Sequence, residues 1–176
     1  MKRYPQEGGH RVPGLVRYPG QISKGTVSGR LFIGTDLFPI FCSLSGSDLP
    51  VNLKLDGINA FNALLDKQVA RPAPYLWIFP AHEDTWFRMP QMSLQSGDYT
   101  LLGWFPEKDR EQPLIPWVKN SVPVRFELFD MRTDPGQTTD ILFKNQKTAQ
   151  KLSEEMVREW LDIRQDFIKV TGAGVN

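Results

Sequence analysis

The opening stretch, MKRYPQEGGHRVPG, gathers most of the side chains that could do chemistry. Lys2 offers a point charge with three donors, which suits an oxyanion oxygen. Arg11 offers a planar fork that pairs with a carboxylate or an oxyanion. Between them stand Glu7 and a Gly8-Gly9 step, and two glycines let a backbone turn sharply or approach a ligand closely. These residue types alone fit two readings: an anion site, or a turn with scattered charges. Elsewhere the search for a complete catalytic set fails. There are two histidines, His10 and His82, with no Ser-His-Asp arrangement around them. No His/Asp/Glu cluster has metal-ligand spacing, and no glycine-rich phosphate loop precedes a helix. Cys42 is the only cysteine. It lies among Ile40, Phe41 and Leu44 and reads as a small core residue, and no intramolecular disulfide or multi-cysteine zinc site can form.

The elements that must position these residues are short, because fourteen Pro and fourteen Gly punctuate 176 residues. Val12, Leu15 and Val16 predict a buried strand over 12–18, closed by a Tyr18-Pro19-Gly20 turn. Residues 35–46 read as a helix capped by Gly34 or Thr35, with Asp36 in its first turn and Gly46 at its end. Pro39 is tolerable there only because it falls near that first turn. A second short helix is expected over 56–65, with Ile58, Phe61, Leu64 and Leu65 on one face. Tyr75–Phe79 reads as a strand. Residues 89–95 and 99–105 flank a Ser96-Gly97-Asp98 hairpin signal. In 124–129 the alternation places Val124, Phe126 and Leu128 on one strand face. The chain then predicts a helix from about Asn145 to Val170, whose Ala149, Leu152, Met156, Trp160, Ile163 and Phe167 form one apolar stripe. A helix laid across an antiparallel sheet is the simplest use of that stripe.

Bulk composition sets outer limits. Forty per cent hydrophobic and 23% charged residues suit a globular chain with a real core. A net charge of +1 gives no argument for nucleic acid or an anionic membrane. Residues 1–30 are nonetheless basic, with Lys2, Arg3, Arg11, Arg17, Lys24 and Arg30 against Glu7. No apolar run is long enough for a transmembrane helix, and residues 1–30 lack the apolar centre of a signal peptide.

Five segments, taken in order, resemble the sulfatase family of the arylsulfatase and N-acetylgalactosamine-6-sulfatase type. Glu7-Gly8-Gly9-His10-Arg11 through Gly20 resembles its EGG-x-R-x-P segment. Thr35–Pro39 resembles "tDLfPT", Leu55–Ile58 "LDGv", and Ser96–Leu102 "SGDYKLI". Phe126–Asp140 resembles "ELYDLxxDPGETTDL", and the usual terminal helix follows. The resemblance implies an α+β chain that is the C-terminal fragment of an alkaline-phosphatase-like α/β sulfatase, with a small antiparallel sheet packed by the long helix. Residues 1–72 would be a remnant of the catalytic α/β domain and 73–176 a C-terminal subdomain. It implies a sulfuric ester hydrolase whose partner is a sulfated small molecule or glycan, with neither nucleic acid nor membrane. The family's formylglycine, made from the Cys or Ser of a C/S-x-P-S-R motif, and its calcium site lie N-terminal to the segment seen here. Cys42-Ser43-Leu44-Ser45-Gly46 lacks that motif's Pro and Arg and does not replace it. The chain by itself is thus expected to carry no catalytic residue, metal ligand or cofactor, and to need a missing N-terminal catalytic segment. By the same resemblance Lys2 takes the place of a lysine that contacts the substrate sulfate five residues before the EGG. His82 falls one place off a histidine near the substrate pocket, and Glu7 and Arg11 become structural residues near the site, with Arg11 in an ion pair. A periplasmic or secreted location is expected by analogy only. The alternative is a non-catalytic module that binds sulfated glycans.

Overall fold

The structure, a computed structural model, describes residues 4–79, 91–109 and 111–170. Lys2 and His82 therefore lie outside the described residues. The chain divides into two compact units, one of Met1–Val12 with Pro74–Asn176, the other of Pro13–Ala73.

The first unit is built on a four-stranded antiparallel sheet in the order β1 (Tyr75–Ile78), β2 (Met92–Ser96), β3 (Tyr99–Trp104) and β4 (Arg125–Asp130). β2 and β3 are joined by the expected tight turn, where Gly97 takes φ 58°, a conformation that favours glycine. Alternation along the strands sorts the side chains. Met92, Leu94, Leu101 and Leu128 face one way and are fully buried with Ala149, Leu152, Met156 and Trp160 of the long helix α5 (Gln146–Val170). The stripe read from the sequence is thus the seam between helix and sheet, until its last two members. Ile163 is 38% exposed and Phe167 is half-buried. Gly103 lies on this seam because a Cβ there would collide with the Met156 sulfur. The opposite sheet face carries a smaller apolar set, Leu102, Trp104 and Phe129. The Arg125 guanidinium lies 4.0 Å from the Trp104 ring centre.

One strand expectation changes and one helix is added. Val124 stands outside β4 and is exposed, although its N–H still donates to the Trp104 carbonyl at 2.7 Å. A helix absent from the sequence reading, α4 (Leu114–Asn120), follows Pro113. Its Pro116 sits in the first turn, where a missing N–H costs no helical bond.

The second unit contains a 3₁₀ turn (Gly34–Asp36) leading into α2 (Leu37–Ser45), then α3 (Phe61–Leu64). α2 ends as expected on Gly46 at φ 70°. The strand expected over 12–18 is not formed: the stretch belongs to no strand, Leu15 is fully exposed and Val12 and Val16 are also exposed. An apolar run makes a strand only where a neighbour supplies ladder partners, and Pro13 and Pro19 remove two donors. The helix expected over 56–65 shrinks to one turn. The Ile58 N–H is donated to the Asp36 carboxylate at 3.0 Å and the Phe61 N–H to Asn59 Oδ1 at 3.2 Å, so neither starts a longer helix.

Asp36 organises this unit. Its carboxylate is fully buried, and Arg71 donates to it by three contacts of 2.9–3.1 Å. The Ile33 N–H also donates to it, at 3.1 Å. Gly57 lies so close to the Thr35 carbonyl that a Cβ would collide with backbone. Gly57→Ala is accordingly expected to destabilise this unit by about 1–3 kcal/mol, since backbone cannot rotate away as a side chain can. An unchanged denaturation midpoint for the variant would count against that packing. Among the described residues no helix is long and apolar enough to cross a membrane.

Candidate functional site

The Glu-Gly-Gly-His segment folds as a single helical turn, α1 (Glu7–His10). Gly9 N–H donates to the Gln6 carbonyl and Arg11 N–H to the Glu7 carbonyl, both at 2.8 Å. Gly9 is required here because a Cβ would run into the Tyr4 carbonyl, whereas Gly8 faces open space. The turn is held from far along the chain: the Glu7 N–H donates to Gln137 Oε1 at 2.8 Å. Gln137 is presented by the Asp134-Pro135-Gly136-Gln137 turn and itself takes φ 54°. That turn is fixed by the Asp134 carboxylate, which accepts the Thr138 and Thr139 N–H groups, each at 2.8 Å. These bonds, led by the one from Thr139, hold the Asp134 carboxyl below its ordinary range. Two of the sequence motifs, the EGG and DPGQTTD segments, therefore meet in space.

Glu7 and His10 are buried together, with side chains only 8% and 7% exposed. Their closest approach is 3.9 Å, Nε2 to Oε1, and Arg11 lies 3.4 Å from the other carboxylate oxygen. Arg11 is itself mostly in water, so this pair contributes little to stability. The His10 ring packs on Trp77 of β1 at 4.1 Å between centres and lies 6.1 Å from Phe79. Neither imidazole nitrogen has a hydrogen-bond partner among the described residues, nor has Glu7 Oε1. Ser93 and Thr100, on the sheet face opposite α5, are likewise buried with unpartnered hydroxyls. Sequence reasoning singled out Glu7 and Arg11 but gave no role to His10, Trp77 or Gln137. The His10–Trp77 contact spans a long sequence separation, and no local spacing announces it.

Burial pushes the His10 imidazole below its ordinary pKa, outweighing the opposite pull of Glu7 and of the nearby Gln6 backbone. The folded state thus binds this proton less readily than the unfolded chain. The stability contributed by neutral His10 is present above about pH 6.5 and is lost as pH falls below it. Denaturation at pH 7.5 and 5.5 should show a larger acid loss for the wild type than for His10→Phe. Equal losses in the two proteins would rule the effect out.

The cluster fixes the Glu-Gly-Gly turn on the sheet and holds a neutral imidazole against an aromatic wall. It carries no nucleophile. Cys42 is a free, half-buried thiol on α2, in the other unit. Among the described residues no group of three or more His, Cys, Asp or Glu side chains could hold a metal ion.

No family model matches the chain. It is 39% identical to arylsulfatase G of Rattus norvegicus over 66 residues, which is 38% of this chain and 12% of that protein. It is 21% identical to an N-acetylglucosamine-6-O-sulfatase of Bacteroides thetaiotaomicron over 173 residues, 92% of this chain and 27% of that protein. A solved structure whose title places it in complex with its substrate D-glucosamine-2-N,6-O-disulfate shares the fold. It has a TM-score of 0.56 and 18% identity over 83% of this chain and 28% of that one. The matches therefore span from about an eighth to little more than a quarter of the length of these relatives. By sequence and by fold it is related to the sulfatases, and what it matches is their C-terminal portion.

Proposed function

We propose that the chain is the C-terminal part of a sulfuric ester hydrolase acting on a sulfated carbohydrate, with formylglycine and calcium held by a catalytic portion outside it. The observation that carries this reading is the match to an N-acetylglucosamine-6-O-sulfatase along 92% of the chain. Two further observations support it. The structural neighbour is titled with a sulfated glucosamine as its substrate. Helix α2 is also apolar nearly all round, yet only Pro39 and Ile40 are buried while Leu37, Phe38, Phe41 and Leu44 are exposed. A helix apolar on every side belongs in an interior, so its outer face suits cover by further polypeptide.

Without a nucleophile or metal ligands, positioning groups do not hydrolyse a sulfate ester. The purified chain should leave 4-nitrocatechol sulfate and glucosamine 6-sulfate intact. Exchanged for the matching segment of the Bacteroides relative, it should restore sulfate release to that protein's catalytic portion. In this chimera Lys2 contacts the substrate sulfate and His82 borders the pocket. Lys2→Ala should lower kcat/KM by about 10–100-fold, the usual worth of a charged hydrogen bond, and His82→Ala by less. Turnover by the chain alone, or a folded chimera without activity, would overturn the proposal.

A further inference from the structure

Within the sheet unit, at the end of β1 and between α4 and α5, lies a cavity of about 330 Å³. That volume falls at the lower end of the range for small-molecule sites. Its walls are aromatic and held in place. Trp160 packs edge-on against Phe105 at 4.6 Å and donates its Nε1–H to the Ser121 carbonyl at 2.8 Å. Phe105 in turn lies 5.6 Å from Trp117. Walls pinned in this way cannot collapse inward to fill the space, and an apolar cavity that stays open is a site for an apolar guest.

Among the described residues Arg164 is the one charged residue lining the cavity. Its guanidinium has a single long contact, 3.4 Å, to the Ser121 carbonyl that Trp160 already occupies at shorter range. Among the described residues it forms no ion pair. A half-buried cation beside an aromatic wall, with donors to spare, is matched by an anion. Among the described residues the remaining lining is almost wholly apolar, with Gln91 the only other polar side chain apart from the indoles, so a sugar with several hydroxyls would find few partners there.

We propose that this cavity binds an aromatic ligand of one or two rings bearing a single anionic group, the rings against Trp160 and Phe105 and the anion on Arg164. The proposal is independent of the sulfatase reading, and either can fail while the other stands. Two probes with nearly the same aromatic body test it: 1-anilinonaphthalene-8-sulfonate, which is anionic, and N-phenyl-1-naphthylamine, which is neutral. Fluorescence titration of the full chain should show saturable binding of both. Arg164→Gln should weaken the sulfonate about tenfold or more and leave the neutral probe within twofold. Ile163→Trp, at the exposed mouth, should weaken both, with circular dichroism verifying an intact fold. Phe41→Glu on α2 should change neither. No saturable binding, equal loss of both probes in Arg164→Gln, or loss of the signal in Phe41→Glu would each overturn the proposal.

Discussion

Asp36→Ala is expected to unfold the 13–73 unit while the sheet unit keeps its structure. The reason is electrostatic. The Asp36 carboxylate is fully buried and accepts from Arg71, whose side chain is only 9% exposed, and from two backbone N–H groups. Removing it takes the counter-charge from a poorly solvated guanidinium and orphans the Ile33 and Ile58 N–H groups. Breaking a buried pair by deleting one partner typically costs about 3–5 kcal/mol. A unit of this size has roughly 3–9 kcal/mol in all, at about 0.05–0.15 kcal/mol per residue. Deleting both charges is a different experiment, because the cost lies in the charge left behind. Asp36→Leu with Arg71→Met should be markedly more stable than Asp36→Ala alone. Hydrogen exchange resolved by segment checks both. Persisting protection of 33–65 in Asp36→Ala would refute the expectation, as would a double variant no better than the single.

Trp160→Ala should destabilise the sheet unit by about 3–5 kcal/mol, the usual loss for a buried tryptophan. Trp160 is 7% exposed, closes the seam between α5 and the sheet beside Met156, and ties α5 to the residue that ends α4. Trp160→Phe separates two contributions. It keeps most of the ring packing against Phe105 and removes the Nε1–H donor, so a cost of about 1–2 kcal/mol is expected. Denaturant unfolding followed at the sheet measures both. A loss under about 1 kcal/mol for Trp160→Ala would show that the seam is held elsewhere.

Much of the sheet unit was legible because its signals are local. The α5 stripe is a periodicity within one element, and Gly97-Asp98 is a turn written in adjacent residues. The α2 region was legible for the same reason, through Asp36, Pro39 and Gly46. The failures share a cause. Residues 12–18 look like a strand, but a strand is a relation between segments and none pairs with them among the described residues. Residues 56–65 look helical, but Ile58 spends its N–H on a carboxylate 22 residues away. The candidate site was half legible. The motif order pointed to Glu7 and Arg11, whereas His10 on Trp77 and Gln137 under Glu7 are long-range contacts that no spacing encodes. Helix α4 hid behind Pro113 and Pro116, which read as breakers and serve instead as a start.

The Glu7–Gln137 bond joins residues 130 apart in sequence. The chain leaves the sheet unit after Val12 and returns at Pro74, so the 13–73 unit is an excursion from a single fold. The four strands, by contrast, pair strictly in sequence order. Such a meander closes loops shorter than the one of some sixty residues that the amino-terminal turn must close before its contacts repay the search. The order of assembly expected from loop closure is sheet and long helix first, Glu-Gly-Gly turn last. The Glu-Gly-Gly segment is then expected to dock last and to be lost first, which hydrogen exchange of Glu7 to Arg11 against β2 to β4 would show.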